Sequence, residues 1–444
     1  MRIAVLGRGV EGAALQKYFE KRGDTIEFFD KFEDSEIPSF HLENFDMVFR
    51  SPSVHPQFEL DEADRGESTG WQTMTNYFFE HCKAPIIGVT GTKGKGTTCS
   101  MITSILRANG ENVHLVGNIG NPSISELDDI KEDDIVVFEM SSFQCWDLKK
   151  SPHVSVVLRI EPDHLDRHKD FDDYVHAKSN IVATQSADDY CIFYNNNEYS
   201  KLIAAMSKGR KSHYPIEDQL DKIQPLLDAL QIPGAHNREN AEAAILAVAA
   251  YYHKTLDEFL ADETLYNSAL EGLKNFHGLP HRIEFVRELN GVKYYDDNYS
   301  SAFPASDVAI AAFENYPTIL IAGGKDRHLD LTAMKERFFS AKNLKKIILI
   351  GETKQLLAEG EDPAKYEFAD TLKEAVEKAQ NLAEKIVENI SSNFDLCIPC
   401  TPAAKEHKAV NAIVLMSPGA ASFDMFKNFG DRGDQYQKIV NKLK

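Results

Sequence analysis

The stretch Ile86-Ile87-Gly88-Val89-Thr90-Gly91-Thr92-Lys93-Gly94-Lys95-Gly96-Thr97-Thr98 constrains this chain more than any other. An apolar run ends in a glycine-rich turn carrying lysine, and a helical pattern follows at once. Backbone N–H groups in such a turn converge on phosphate oxygens, aided by the positive end of the helix dipole. Gly91, Gly94 and Gly96 let the backbone come close, and Lys95 can neutralise β/γ-phosphates. The helix is read from Met101, Ile102, Ile105 and Leu106 at helical spacing, with Gly110 as its stop signal. The strict nucleotide-loop template asks for Gly at 89 and Ser or Thr at 96. Val89 and Gly96 stand there instead, so the hydroxyl expected at Mg²⁺ is displaced to Thr97. An ordinary strand-to-helix turn is the bland reading; nucleoside triphosphate chemistry is the better one.

A chain of 444 residues is too long for one core and predicts two to four domains. Its 43% hydrophobic content suffices to build them. No apolar run reaches the ~18 residues of a membrane span, and Met1 leads straight into the strand-like Arg2-Ile3-Ala4-Val5-Leu6. With six cysteines and no secretory leader, the expectation is reduced thiols and a cytoplasmic protein without membrane insertion. Cys397-Ile398-Pro399-Cys400 is formally a CxxC, but it lies in an apolar strand pattern and has no partner pair. A net charge of −20 argues against nucleic acid while leaving room for anionic small substrates.

Three blocks alternate strands with helices, predicting an α/β protein of three domains: 1–84, 85–280 and 281–444. Each is expected to be a largely parallel sheet with flanking helices: Rossmann-like, then P-loop ATPase-like, then Rossmann-like. The first block predicts strands at residues 2–6, 25–29 and 47–49 around a helix at 10–21. The second adds strands at 135–138 and 154–158 and a helix at 240–252. The third predicts strands at 318–322, 347–350 and 413–416. It also predicts a helix at 372–390, opened by a capping box of Thr371 and Glu374. The opening Gly7-Arg8-Gly9-Val10-Glu11-Gly12, with Asp30 ending the next strand, is the dinucleotide fingerprint. A full NAD domain needs about six strands, and three fit before residue 85. We read a truncated module for a nucleotide-bearing ligand.

Mg²⁺ wants hard oxygen ligands at strand ends. Glu139, after the strand at 135–138, stands in such a place; a helix-starting acid would look alike. The turn Arg159-Ile160-Glu161-Pro162-Asp163-His164-Leu165-Asp166-Arg167-His168 fits a site and a solvated loop equally well.

Taken together, these motifs resemble the Mur ligase superfamily, ATP-dependent amide-forming enzymes of peptidoglycan synthesis. The resemblance runs nearly the whole chain. It is carried especially by Glu139-Met140-Ser141-Ser142-Phe143-Gln144, Gly278-Leu279-Pro280-His281-Arg282, the segment from Ser417-Pro418-Gly419 to Asp424, and Phe426-Lys427-Asn428-Phe429 with Arg432-Gly433. It points most nearly to the members that join D-glutamate to UDP-N-acetylmuramoyl-L-alanine, acting as monomers. The resemblance implies that Lys95 meets the ATP phosphates within the turn of Gly91, Thr92, Lys93, Gly94, Gly96 and Thr97. It further implies that Glu139 and His164 hold two Mg²⁺ ions, with Thr97 nearby. Lys178 matches a lysine that the family carbamylates with CO₂, which turns an ammonium that repels Mg²⁺ into an anionic oxygen ligand. Without the family it would pass for a surface lysine. Asn237 and Asn240 correspond to the adenine-contacting segment, and Arg282 and Asp297 reach the nucleotide from the third block. Gly9, Val10, Glu11, Asp30, Lys31 and the turn from Ser51 to Pro56 correspond to the uridine-diphosphate cradle. Asn118 lies at the muramoyl sugar, and Ser301, Arg327, Ser422, Phe423 and Phe429 form the amino-acid pocket.

Several positions depart from the family. Tyr299 stands for a lysine, Ser301 for a threonine, Arg327 for a lysine and Lys93 for an asparagine, while Gly96 is more typical of folylpolyglutamate synthases. A guanidinium at 327 can still pair bidentately with a carboxylate. Two alternatives therefore stand beside the main reading: a related ligase using L-glutamate or another amino acid, and a nucleotide-binding regulator without catalysis.

Overall fold

Short apolar runs become the central strands of three sheets in the computed structural model, which describes residues 1–29, 44–52, 54, 70–394 and 412–444. The first sheet contains β1 (Arg2–Leu6), β2 (Thr25–Phe29), β3 (Met47–Arg50) and β4 (Gly70–Thr73), in the order β2-β1-β3-β4, all parallel. The second contains β5 (Ile86–Thr90), β6 (Val113–Gly117), β7 (Ile135–Glu139), β8 (Val154–Val157), β9 (Tyr190–Tyr194) and β10 (Arg210–Tyr214). Its order is β10-β9-β8-β5-β7-β6, again all parallel. The third contains β11 (Glu284–Leu289), β12 (Val292–Asp296), β13 (Thr318–Gly323), β14 (Leu344–Ile350), β15 (Tyr366–Phe368) and β16 (Ala412–Met416), ordered β11-β12-β16-β13-β14-β15. Among the described residues only the β11–β12 pairing is antiparallel there. Strands β5, β7, β8, β13 and β16 are buried at every residue, as strands covered by helices on both faces must be.

The chain divides into two compact units, residues 1–229 with 236–276, and residues 230–235 with 277–444. The first holds the first two sheets, and polar contacts join them. Arg50, 1% exposed, donates from Nη2 to Asp147 Oδ1 at 2.7 Å and from Nη1 to the Ser51 carbonyl at 3.3 Å. Asn76 Nδ2 donates to the Asp147 carbonyl, and the Lys149 amide donates back to Asn76 Oδ1, each at 2.9 Å. Around them Phe78 and Phe79 meet Phe138, both at 5.6 Å between ring centroids.

The strands expected from the apolar runs are present, with ends shifted by up to three residues. One expectation needs correction. Among the described residues the first sheet has four strands rather than three, because Gly70–Thr73 adds an edge strand through β3. At the long helix Leu372–Phe394 Thr371 Oγ1 accepts from the Glu374 amide at 3.1 Å, and the Glu374 carboxylate accepts from the backbone N–H groups of Asp370 and Thr371, as the capping box expects. Cys397 and Cys400 lie outside the described residues. Among the described residues no helix is long and apolar enough to cross a membrane.

The helix after the glycine-rich turn, Lys95–Ala108, is clamped by the helix Glu263–Asn275. A Cβ on Gly272 would fall 2.5 Å from Ile105 Cα, and Ser104 Oγ donates to the Gly272 carbonyl at 2.8 Å. Gly272→Val therefore forces two backbones apart. It should cost about 1–3 kcal/mol, read as a lowered urea midpoint for unfolding of the first unit; an unchanged midpoint would show that this contact yields freely.

Candidate active site

In a parallel sheet the loops that follow the strand C-termini share one edge, where α/β proteins bind ligands. Neighbouring strands of the second sheet bring the glycine-rich turn after β5, Glu139 at the end of β7, the segment after β8 and Asn118 after β6 to that edge.

The turn is fixed from several sides. Gly91 takes φ +153° and Gly94 φ +85°, and a Cβ on Gly94 would lie 2.6 Å from Asn240 Oδ1. Gly94 is thus glycine for two reasons: left-handed backbone, and the approach of the helix Ala235–Tyr251 that carries Asn240. The same Asn240 Oδ1 accepts from Thr98 Oγ1 at 3.3 Å. Thr92 locks the far side, its hydroxyl donating to the Glu161 carbonyl at 3.0 Å and accepting from the Glu161 amide at 2.8 Å. Tyr174 Oη lies 3.0 Å from that hydroxyl.

Two amines converge on one carbonyl. Lys95 Nζ donates to the Gly91 and Thr92 carbonyls, both at 3.0 Å. Lys178 Nζ, on the helix Phe171–Ser179, donates to the same Gly91 carbonyl at 2.9 Å and to Thr90 Oγ1 at 3.4 Å. Burial lowers the pKa of Lys95, against the opposing pull of Glu139. Burial, with Lys95 adding to it, draws Lys178 down to about 7. At 1% exposure Lys178 is no surface lysine.

Glu139 ends β7 as a buried strand residue; the following short helix is capped by Ser141, so Glu139 does not start it. Asn118 Nδ2 donates to Glu139 Oε1, and the Asn118 amide to the Glu139 carbonyl, both at 3.1 Å. In the turn at 159–168 the histidines part company. His168 is buried between Asp173 (2.8 Å) and Ser142 Oγ (2.9 Å), a packing role. His164 has φ +53°, a half-exposed ring and Phe143 at 5.1 Å. Among the described residues the group of His, Cys, Asp and Glu ligand atoms that converges is His281, Glu284 and Asp296. Thr97 and Gly96 are half-buried at the helix start, Lys93 is exposed, and Asn237 is buried one turn before Asn240.

In the first sheet Gly7 has φ +95°, Gly9 caps the helix Val10–Glu20, and a Cβ on Gly12 would strike the Gly7 carbonyl at 2.6 Å. Gly7 and Gly12 thus have steric tasks, while Gly9 has open space where a Cβ would stand. Val10 is 76% exposed, while Glu11 accepts from Gln144 Nε2 at 2.9 Å. Burial pushes the Glu11 carboxyl up to about 7, against Gln144 and Arg50. Ser51 is buried beside β1, its amide donating to the Leu6 carbonyl at 2.9 Å. Asp30, Lys31, Ser53, His55 and Pro56 lie outside the described residues.

The second unit carries its candidates after β12, β13 and β16, with Arg282 just before β11. Asp297 is buried and accepts from Ser300 Oγ (2.5 Å), Ser417 Oγ (2.6 Å) and the Ile283 amide (3.2 Å). Burial nevertheless raises its pKa to about 7. Arg282, Ser301, Arg327, Phe423 and Phe429 are exposed, and Ser422 is buried. Sequence reasoning gave no separate role to Arg432. Fully buried, it donates to Asn298 Oδ1 at 2.6 Å and to the Ala420 carbonyl at 3.1 Å, tying the segments after β12 and β16 together.

Residues 89–225 match the Mur ligase middle domain family. Over 475 residues the chain is 32% identical to the UDP-N-acetylmuramoylalanine–D-glutamate ligase of Clostridium kluyveri, an alignment covering all of this chain and 97% of that one. The chain belongs to the Mur ligase family. The Mur ligase fold is also seen in the UDP-N-acetylmuramate–alanine ligase of Thermotoga maritima, with a TM-score of 0.52 at 15% identity over the whole of both chains. The folylpolyglutamate synthase of the same organism reaches 0.53 at 14% identity, over 84% of this chain and 93% of that one. At such identities the likeness concerns the fold alone.

Within this Mur ligase, the contacts Thr92–Tyr174, Gly94–Asn240 and Lys178–Gly91 span about 80 to 150 residues of sequence and have no local signal. Gly94→Ala should destabilise the protein by about 1–3 kcal/mol. Gly9→Ala should be close to neutral, since Gly9 has φ −67° and open space around its Cβ position. Thermal unfolding of the two variants side by side tests the difference.

Proposed function

We propose that this Mur ligase joins D-glutamate to UDP-N-acetylmuramoyl-L-alanine at the expense of ATP, in peptidoglycan precursor synthesis. The observation that carries the reading is the glycine-rich turn with Lys95 and the buried Lys178 on one carbonyl, in a chain similar end to end to ligases named for that reaction. In this reading residues 1–84 hold the UDP end of the substrate, 85–280 the nucleotide and 281–444 the amino acid.

An alanyl carboxylate oxygen attacks the γ-phosphorus of ATP and ADP leaves. The amine of glutamate then attacks the acyl-phosphate carbonyl, phosphate departs, and the amine gives up a proton as the amide forms. No protein side chain needs to become covalently attached to substrate. The N–H groups from Gly91 to Thr97 and the Lys95 ammonium cradle the phosphates, where preformed donors lower the barrier most. Asn237 and Asn240 read adenine; Arg282 contacts the nucleotide, with Asp297 fixing the backbone beside it through Ile283 N. Gly9, Val10, Glu11, Asp30, Lys31 and Ser51 receive the uridine diphosphate, and Asn118 the sugar. Ser301, Arg327, Ser422, Phe423 and Phe429 receive the amino acid, Arg327 pairing with a carboxylate.

A hard dication fits the donor set only after chemistry on Lys178. An amine titrating at about 7 is neutral in roughly half the molecules at neutral pH. An ordinary lysine is neutral in fewer than about one in a thousand. Neutral amine is the form that adds CO₂, and the resulting carbamate joins the Glu139 carboxylate, with His164 and Thr97, as an oxygen-rich set for two Mg²⁺ ions. When bound, Mg²⁺ supplies charge neutralisation at the phosphates.

The test is phosphate release with ATP, Mg²⁺ and UDP-N-acetylmuramoyl-L-alanine, offering D-glutamate, L-glutamate and other amino acids separately, with the product identified by mass. Turnover should require D-glutamate, and Lys95→Ala should lower kcat by about 10²–10³-fold. Turnover with a different amino acid would overturn the named acceptor, and none with any would overturn the ligase reading.

A further inference from the structure

Arg282 sits in an unusual piece of backbone. Its neighbours His281 and Ile283 both have positive φ, +60° and +46°, a conformation that costs a β-branched residue such as Ile283 particularly dear. The surroundings hold it there. The His281 amide donates to Glu284 Oε2 at 2.8 Å, His281 Nδ1 lies 2.8 Å from Asp296 Oδ2, and the Ile283 amide donates to Asp297 Oδ1 at 3.2 Å. Gly433 leaves room for the His281 ring, which a Cβ would meet at 2.1 Å. Strain of this kind persists only where several contacts enforce it, and its effect is to aim the one side chain between the two strained residues.

That side chain is exposed, yet it is not left to wander. The Arg282 guanidinium lies 3.7 Å from the centroid of the Tyr299 ring. The Tyr299 amide donates to the His281 carbonyl at 2.9 Å, which locks the two backbones in register, and the ring is buttressed edge-on by Phe429 at 5.3 Å. Phe429 and Tyr299 are both more than two-fifths exposed, so the stack is no part of the hydrophobic core. A free arginine samples many rotamers and loses that freedom when it binds. A guanidinium already stacked on an aromatic face has lost part of it beforehand.

We propose that Tyr299 is a positioning residue that pre-orders Arg282 for an anionic or aromatic group of the nucleotide, with Phe429 steadying the ring. Tyr299 occupies the position where the resemblance gave a lysine. A lysine ammonium there would be a second cation beside the guanidinium, whereas the ring holds the same cation by its face. The proposal rests on the reading of Arg282 as a nucleotide contact.

The experiment is a double-mutant cycle in the full chain with a non-hydrolysable ATP analogue and Mg²⁺, by calorimetry. Arg282→Ala, Tyr299→Leu, Tyr299→Phe and the Arg282→Ala/Tyr299→Leu pair are compared with the unaltered protein. Tyr299→Leu should weaken binding about three- to thirtyfold, Tyr299→Phe should stay within about twofold, and Tyr299→Leu should have no further effect once Arg282 is Ala. Unaltered affinity in Tyr299→Leu, or equal weakening with and without Arg282, overturns the proposal. Unaltered affinity in Arg282→Ala instead overturns the reading of Arg282 and removes the proposal's purpose. A second readout needs no nucleotide: the Arg282 Nε–H proton should be shifted upfield by the Tyr299 ring current and return to its ordinary position in Tyr299→Leu. No upfield shift in the unaltered protein would contradict the stack itself.

Discussion

The carbonyl oxygen of Gly91 accepts hydrogen bonds from two lysines, Lys95 and Lys178, in a place that excludes most water. Two ammonium groups on one acceptor repel each other, and burial penalises the charged form of each. The arrangement persists because the turn that carries Gly91 is pinned elsewhere, by Thr92 to Glu161 and by the approach of Asn240 to Gly94. Two chemical changes relieve the repulsion: anionic phosphates beside Lys95, or conversion of the Lys178 amine to a carbamate. Both belong to the proposed reaction.

The same economy is visible in the second unit. Asp297 spends its carboxylate on Ser300, Ser417 and the Ile283 backbone, and Arg432 spends its guanidinium on Asn298 and Ala420. Buried charges used in this way fix loops after parallel strands at modest net gain in stability. What they secure is geometry: exposed Arg282 and Phe423 are presented from segments whose neighbours Ile283 and Ala420 are held. Positioned donors and closely held side chains are what a reaction without a covalent enzyme intermediate depends on.

Much of this fold was legible in the sequence because buried parallel strands announce themselves as continuous apolar runs. The runs at β1, β5, β7, β8, β13 and β16 did so. Others did not: β10 is Arg210-Lys211-Ser212-His213-Tyr214, exposed over most of its length, and β11 is an antiparallel edge strand with few buried residues. Gly7, Gly12, Gly91 and Gly94 were legible because left-handed backbone or close approach leaves few other residues acceptable there. Lys178 was legible only through family resemblance, since nothing near it in sequence says that its helix points it beneath Gly91. The strained backbone around Arg282 and the buried Arg432 had no local signal, for their partners come from segments far along the chain.

The central claim is that Lys178 is a buried amine whose lowered pKa readies it to become an oxygen ligand. It is tested most directly by carbon-13 NMR of the protein equilibrated with ¹³C-bicarbonate and Mg²⁺. The account predicts one protein-bound carbamate resonance, absent from Lys178→Arg and lost reversibly when CO₂ is removed. A protein that turns over while showing no such resonance, or one that survives Lys178→Arg, would contradict it.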